Sequence, residues 1–221
     1  LVLTTPPECT TPLEHSIPGE FARYLRDYQR DGIQFLYKCF AAGHGALLGD
    51  DMGLGKTIQV IGLLVAVLKI DARKDTKPDF LLKKGKQKAK RHEGTALIVV
   101  PPAVLYNWKK ELDTWGHFRI GMIDKATDTK KVFEQAENEE LDVVLATYSN
   151  VRTKLREFLH IERIVQDKDG KETRGRRDRP WLMMVCDEIH IVKSDKSKIG
   201  EAMRQFKTKR RIGMTGTILQ N

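Results

Sequence analysis

The nine residues Gly49-Asp50-Asp51-Met52-Gly53-Leu54-Gly55-Lys56-Thr57 constrain this chain more than any other stretch. A short apolar run precedes them and an apolar helical pattern follows, so the glycines fall in a strand-to-helix turn. There, glycine-permitted backbone conformations turn successive N–H groups inward at a helix N-terminus, which makes a ready anion site. Lys56 would bring a point charge to the β- and γ-phosphates of a nucleotide, and the Thr57 hydroxyl would ligate Mg2+. The general phosphate-loop pattern carries glycine where Asp50 stands, so the motif is met only in part. Glycines placed for purely structural reasons are the competing reading, and they leave the Lys56-Thr57 pair unexplained.

The rest of the chain supplies the fold such a loop needs. Ala46–Gly49, Thr95–Val100, Arg119–Ile123, Val143–Thr147, Trp181–Cys186 and Arg211–Met214 are short runs, most of them dense in Val, Ile, Leu or Met without polar alternation. That pattern predicts strands buried on both faces. Helical spacing is read over Phe21–Phe40, although Gly32 interrupts it, and over Lys56–Ile70, Ala103–Trp115, Lys130–Asn138, Tyr148–Ile161 and Ile199–Phe206. Strands alternating with helices predict an α/β fold, a parallel sheet with helices on both faces. Residues 1–18, rich in Pro and Thr, read as an extended lead-in, with one domain over 19–221. The chain starts at Leu1 rather than Met, as a piece of a longer protein would.

Two stretches break the rhythm. Residues 71–93 and 166–179 are rich in Lys and Arg and read as mobile basic insertions. They are either solvated loops or contacts for nucleic-acid phosphates, and Lys83–Arg91 also suits a nuclear import signal. Lys plus Arg outnumber Asp plus Glu by 39 to 30, which favours an anionic partner without deciding between these readings. The longest apolar run, Ile58–Leu68, is broken by Gln59 and Gly62 and is too short to span a bilayer, and no signal-peptide layout follows Leu1. No membrane partner is expected. Cys9, Cys39 and Cys186 lie far apart without a Cys-x-x-Cys spacing, and His15, His44, His92, His117 and His160 form no ligand pattern. A disulfide framework and a zinc site are therefore not expected.

A second candidate constellation is Asp187-Glu188-Ile189-His190, at the end of the apolar run Trp181–Cys186. The carboxyl end of a parallel strand is where open α/β sheets place ligands. In a nucleotide hydrolase Asp187 would hold Mg2+ through water, and Glu188 would orient and deprotonate the attacking water. Acidic pairs are common on surfaces, and this one gains weight from following a phosphate loop in chain order.

Together, Asp51–Thr57, Asp187–His190 and Met214-Thr215-Gly216-Thr217-Ile218-Leu219-Gln220-Asn221 resemble motifs I, II and III of Snf2-family ATPases. Leu25-Arg26-Asp27-Tyr28-Gln29 is similar to that family's adenine-recognition motif, Pro101–Leu112 with Asn107-Trp108 to motif Ia, and Ala146-Thr147-Tyr148 to motif Ib. The family accepts acidic residues around positions 50 and 51. Tyr106–Trp115 and Thr215–Asn221 most resemble the Cockayne syndrome group B-like repair branch. Ile218, where the family usually has Pro, and Ile191, where a basic residue is common, depart from the pattern.

The resemblance implies the first RecA-like lobe of a P-loop motor that binds Mg2+ and ATP and tracks along double-stranded DNA. Remodelling of chromatin or of other protein–DNA complexes in the nucleus, in company with repair proteins, follows from it. Arg26, Gln29, Asp51, Met52, Gly53, Leu54, Gly55, Lys56 and Thr57 would bind the nucleotide, Thr57 and Asp187 the metal, and Lys56, Asp187 and Glu188 would carry catalysis. His190, Thr215, Gly216 and Thr217 would couple nucleotide state to DNA grip, and Trp108, Lys109, Thr147 and Tyr148 would meet DNA. Trp108 equally suits a core position, since Leu105, Trp108, Leu112 and Trp115 share a helical face. In Snf2-like motors the arginine finger lies on a second lobe, so this lobe alone is expected to be nearly inert. A strand-separating helicase and a non-hydrolysing nucleotide-dependent module are the alternative readings.

Overall fold

Six runs of residues with both faces apolar can satisfy their backbone groups and hide their side chains only as a sheet sandwiched between helices. The structure, a computed structural model, describes residues 1–6, 15–70, 94–124, 127–166, 172–192 and 197–216. In it β3 (Ala46–Leu48), β4 (Thr95–Val100), β5 (Ile120–Ile123), β6 (Val143–Thr147), β9 (Trp181–Cys186) and β10 (Arg211–Met214) form one sheet in the order β3-β10-β9-β4-β6-β5. Every pairing in it is parallel. All six strands coincide with the predicted ones to within a residue.

Alternate side chains of the central strands serve two separate cores. Ala96, Ile98 and Val100 of β4 and Met183 and Val185 of β9 pack into one, with α2 (Asp27–Ala41), α3 (Lys56–Val67) and α4 (Leu105–Trp115). Leu97 and Val99 of β4 and Met184 and Cys186 of β9 point into the other, with α5 (Thr129–Glu137), α6 (Tyr148–Thr153), α7 (Leu155–Leu159) and α8 (Lys198–Arg204). Helix α3 is buried from Gln59 to Val67 and is the most enclosed helix of the described residues.

Gly32 does not break α2, which runs through it. A Cβ there would lie 1.8 Å from Oε1 of the fully buried Gln59, so the glycine is the notch that lets α2 lie against α3. A short helix, α1 (Gly19–Ala22), stands apart from α2 in the stretch predicted as one helix.

Three expectations need correction. The lead-in is not wholly outside the fold: β1 (Val2–Leu3) pairs antiparallel with β2 (His15–Ser16), and Leu3 and Ile17 are buried in the first core. Their apolar side chains gain more from burial than the short ladder alone would supply. The helix predicted over Tyr148–Ile161 ends at Leu159, and His160 and Ile161 open a strand. That strand, β7 (His160–Gln166), pairs antiparallel with β8 (Glu172–Asp178), so the stretch read as a mobile insertion over 166–179 is largely one arm of a hairpin.

The hairpin's root is fixed by Arg179. Its backbone N–H donates to Leu159 O at 2.7 Å, its guanidinium bonds the Glu137 carboxylate at 2.9 Å, and its charged plane lies 4.5 Å from the Phe133 ring centre. Trp181 adds an indole N–H bond to Phe158 O. Burial lowers the Arg179 pKa and the adjoining Glu137 raises it, a cost and its partial offset. The other basic insertion, residues 71–93, lies outside the described residues.

At the edge of the sheet formed by β5, a charge pair closes the β5–β6 corner. Asp142, fully buried, accepts the Arg119 backbone N–H at 2.7 Å and two guanidinium nitrogens at 2.6 and 3.1 Å. Removing the carboxylate strands a mostly buried guanidinium. Asp142→Ala should therefore destabilise the fold by about 3 kcal/mol, read as a fall in the urea midpoint with an unchanged slope.

Candidate functional site

Because all six strands of the sheet run the same way, their carboxyl ends share one rim, and five of the loops leaving it carry the residues singled out in the sequence. Register shows the alignment: Met214 faces Leu48, Gly213 faces Cys186, Val99 faces Cys186 and Val100 faces Thr147. The loop after β3 leads into α3 through two left-handed glycines, Gly53 (φ 85°) and Gly55 (φ 76°), the second capping the helix. Glycine adopts this conformation without the Cβ penalty, and here it turns the chain so that the first amides of α3 face the loop.

The loop is braced from three sides. Lys56 donates through its ammonium to Asp50 O at 2.6 Å and Asp51 O at 2.9 Å. Gln59 Nε2 donates to Asp50 Oδ2 at 2.9 Å, which gives Asp50 a task that glycine could not perform. Gln29 accepts the Arg26 N–H through Oε1 at 3.0 Å and donates through Nε2 to Leu54 O at 3.3 Å. The residue read as an adenine contact thus also holds the phosphate loop, while Arg26 stays exposed at the start of α2. Met52 is 78% exposed, and Asp51 and Leu54 are exposed beside it.

At the end of β9, Asp187 is anchored by its backbone N–H to Val99 O at 2.9 Å. Its Oδ1 accepts the Glu188 N–H at 3.0 Å, and Glu188 takes a left-handed φ of 51°. A non-glycine residue held there stores strain and aims its side chain differently from its neighbours. Glu188 Oε2 lies 3.2 Å from His190 Nδ1, which in turn lies 3.4 Å from Thr215 Oγ1. Thr215 donates its N–H to Leu48 O, and a Cβ on Gly216 would come within 2.7 Å of Met52 Cγ and 3.7 Å of Lys56 Nζ. The three separate sequence motifs therefore meet in one place, whereas Thr217 and Ile218 lie outside the described residues.

Sequence reasoning missed two contacts. Trp108 donates its indole N–H to Asp187 Oδ2 at 2.8 Å, and Tyr148 donates its hydroxyl to Asp187 O at 2.7 Å. Trp108, Tyr148 and Thr147 are 1%, 3% and 5% exposed, so in this conformation they offer little surface to a duplex. The signal available in the sequence was that a buried indole must find an acceptor. Burial, with Cys186 and Asp187 nearby, pushes the Tyr148 hydroxyl far above its ordinary range and keeps it a donor. Burial also pushes the neighbouring Cys186 thiol up to about 12, which makes it inert. Lys109, half-buried, is paired with Asp113 at 2.6 Å.

Beside these residues opens a cleft of about 360 Å³ lined by Pro102, Leu105, Tyr106, Asp124, Thr147, Ser149 and Asn150. No group of three or more His, Cys, Asp or Glu residues poised for a metal occurs among the described residues. Asp187 and Thr57 nonetheless suit a hydrated divalent cation. Among the described residues each Asp187 carboxylate oxygen accepts one hydrogen bond and keeps lone-pair capacity, and Thr57 stands in the first turn of α3.

A parallel sheet with helices on both faces, a glycine-turned loop capping α3 and an acidic pair at a strand end define a RecA-like P-loop lobe. The family model for the SNF2-related domain matches residues 28–221, and the chain belongs to that family. It is 43% identical over 211 residues, 93% of its length, to the mouse DNA excision repair protein ERCC-6-like 2, of which it spans 12%. It is 32% identical over 210 residues to Switch 2 of Arabidopsis thaliana, covering 95% of this chain and 21% of that protein. Among solved structures it is similar to the SWI2/SNF2 ATPase core of Sulfolobus solfataricus in complex with dsDNA. There the TM-score is 0.58 and the identity 29%, over 89% of this chain and 33% of that one.

The two loop glycines make separable predictions. A Cβ on Gly53 would meet nothing within 4 Å, whereas one on Gly55 would lie 2.5 Å from Gln29 Nε2. Gly53→Ala should cost about 1–2 kcal/mol of backbone strain. Gly55→Ala should cost more and also displace the Gln29 amide from Leu54 O, and thermal unfolding of the two variants side by side measures the difference.

Proposed function

We propose that this lobe binds Mg2+ and ATP at the phosphate loop and, joined to a second RecA-like lobe, hydrolyses ATP to drive movement along double-stranded DNA. The observation that carries the reading is the convergence of three loops. Gly216 abuts Met52 and Lys56, and His190 bridges Glu188 and Thr215. Lys56, now spent on two loop carbonyls, is the cation able to transfer to the β- and γ-phosphates. Glu188 would accept the proton of the attacking water, with His190 holding its carboxylate. Mg2+, when bound by Thr57 and Asp187, supplies charge to offset the phosphates.

Double-stranded DNA as partner is supported by the solved relative, whose ATPase core is bound to dsDNA, and by the formal charge of +9. The cleft beside Thr147 is the candidate seat for backbone phosphates, with Lys109 beyond it on α4. The likeness to an excision repair protein favours work on protein–DNA complexes in the nucleus during repair. Strand separation is the alternative activity, distinguished by comparing ATP turnover with duplex, single-stranded DNA and RNA and by a strand-displacement assay.

In the two-lobed motor, Lys56→Ala should abolish DNA-stimulated turnover, because the phosphates lose their in-loop cation. Glu188→Gln should stop turnover and leave ATP bound, since the amide keeps the shape without accepting a proton. A variant of Glu188 that loses binding and turnover together would overturn that role. The lobe alone should turn over ATP at least about 10³-fold more slowly than the two-lobed motor with duplex DNA, the effect of an absent arginine finger. Equal DNA-stimulated rates from the two proteins would refute the two-lobe reading.

A further inference from the structure

We infer that Trp108 is the positioning residue of the metal-binding carboxylate, acting through its indole N–H on Asp187. The inference rests on the nucleotide reading above and extends it to a residue outside the phosphate loop and the acidic motif. Three tryptophans occur in the chain. Trp115 spends its N–H on Glu111 within its own helix, and Trp181 spends its N–H on the backbone carbonyl of Phe158. Trp108 instead reaches from α4 to the end of β9, far away in sequence, and meets a carboxylate oxygen at 2.8 Å. The indole is enclosed, with Trp108 1% exposed, and its bond to the partly buried carboxylate narrows the rotations open to that group.

The remaining polar groups around Asp187 divide the work. Val99 O and the Tyr148 hydroxyl hold its backbone on either side of the residue, and the Glu188 N–H occupies Oδ1. Oδ2 is held by Trp108 among the described residues. The carboxylate can therefore present itself to a hydrated cation only in the rotamer the indole permits. Ligand-orienting hydrogen bonds of this kind commonly change metal affinity by about 10- to 100-fold when removed. Helix α4 also carries Leu105 and Tyr106 into the cleft of about 360 Å³. Movement of α4 by an occupant of that cleft would therefore be felt at Asp187 through a single rigid ring.

The test is a titration of the 15N-labelled chain followed through its three indole N–H signals, with the Trp108 signal assigned by its loss in Trp108→Phe. A non-hydrolysable ATP analogue is added first in EDTA and Mg2+ second, while the backbone amides of Gly53 and Gly55 report nucleotide binding. The expected result is that Mg2+ shifts the Trp108 indole signal and leaves that of Trp181, at the far end of β9, in place. Loop amides that shift with the nucleotide while the Trp108 indole ignores Mg2+ would overturn the inference and leave the nucleotide reading intact. Loop amides that never respond would remove both. In the two-lobed motor, Trp108→Phe should raise the Mg2+ needed for half-maximal turnover by about 10- to 100-fold with the rate recovered at high Mg2+, and Trp115→Phe should not. An unchanged Mg2+ requirement in Trp108→Phe also overturns the inference, and a variant that fails to fold leaves the wild-type titration to decide.

Discussion

Everything at the rim depends on the parallel ladder between β4 and β9. That ladder buries both faces of its strands and, one residue past its end, fixes Asp187 by a backbone bond to Val99 O. Inside the ladder no polar side chain can be tolerated without a partner, so chemistry is displaced to the residues where the strands stop. The phosphate loop, the acidic pair and Thr215 each begin at the first residue beyond a strand of the sheet. Their mutual positions are inherited from strand register, which shifts only in whole residues.

The hairpin of β7 and β8 grows from the opposite end of the sheet, where β9 begins, and Arg179 joins its root to α5, α7 and the second core. Arg176 and Arg177 are exposed on it, while His160, Glu162 and Asp178 supply neighbouring acceptors and an imidazole. The hairpin is a braced outgrowth with mixed charge. A uniformly basic tether would repel itself and could not hold that register.

Much of this was legible in the sequence because two-sided burial leaves runs of Val, Ile, Leu and Met that no surface segment imitates. The phosphate loop and Asp187-Glu188 followed from their places after such runs. The hairpin was not legible, since β8 reads Glu-Thr-Arg-Gly-Arg-Arg-Asp, and its pairing comes from backbone bonds and an anchoring arginine beyond its end. The ends of the lead-in were hidden by the Pro- and Thr-rich segment between Leu3 and Ile17. Trp108 was legible as either a core or a DNA-facing residue, and the periodicity that put it on the apolar face of α4 could not reveal where its one polar atom pointed. Gln29 and Gln59 were obscured in the same way, because an amide on a helix announces neither its burial nor the loop it braces.

The notch at Gly32 ties two distant positions into one unit. Gln59 fills the space a side chain at position 32 would need, and its amide reaches onward to the Asp50 carboxylate. A relative that places any larger residue at position 32 must shorten or redirect position 59, and Asp50 then loses its donor. The acidic residue at position 50, where other phosphate loops carry glycine, is thus affordable only in chains that keep the glycine of α2. Positions 32, 50 and 59 should vary together or not at all across the family.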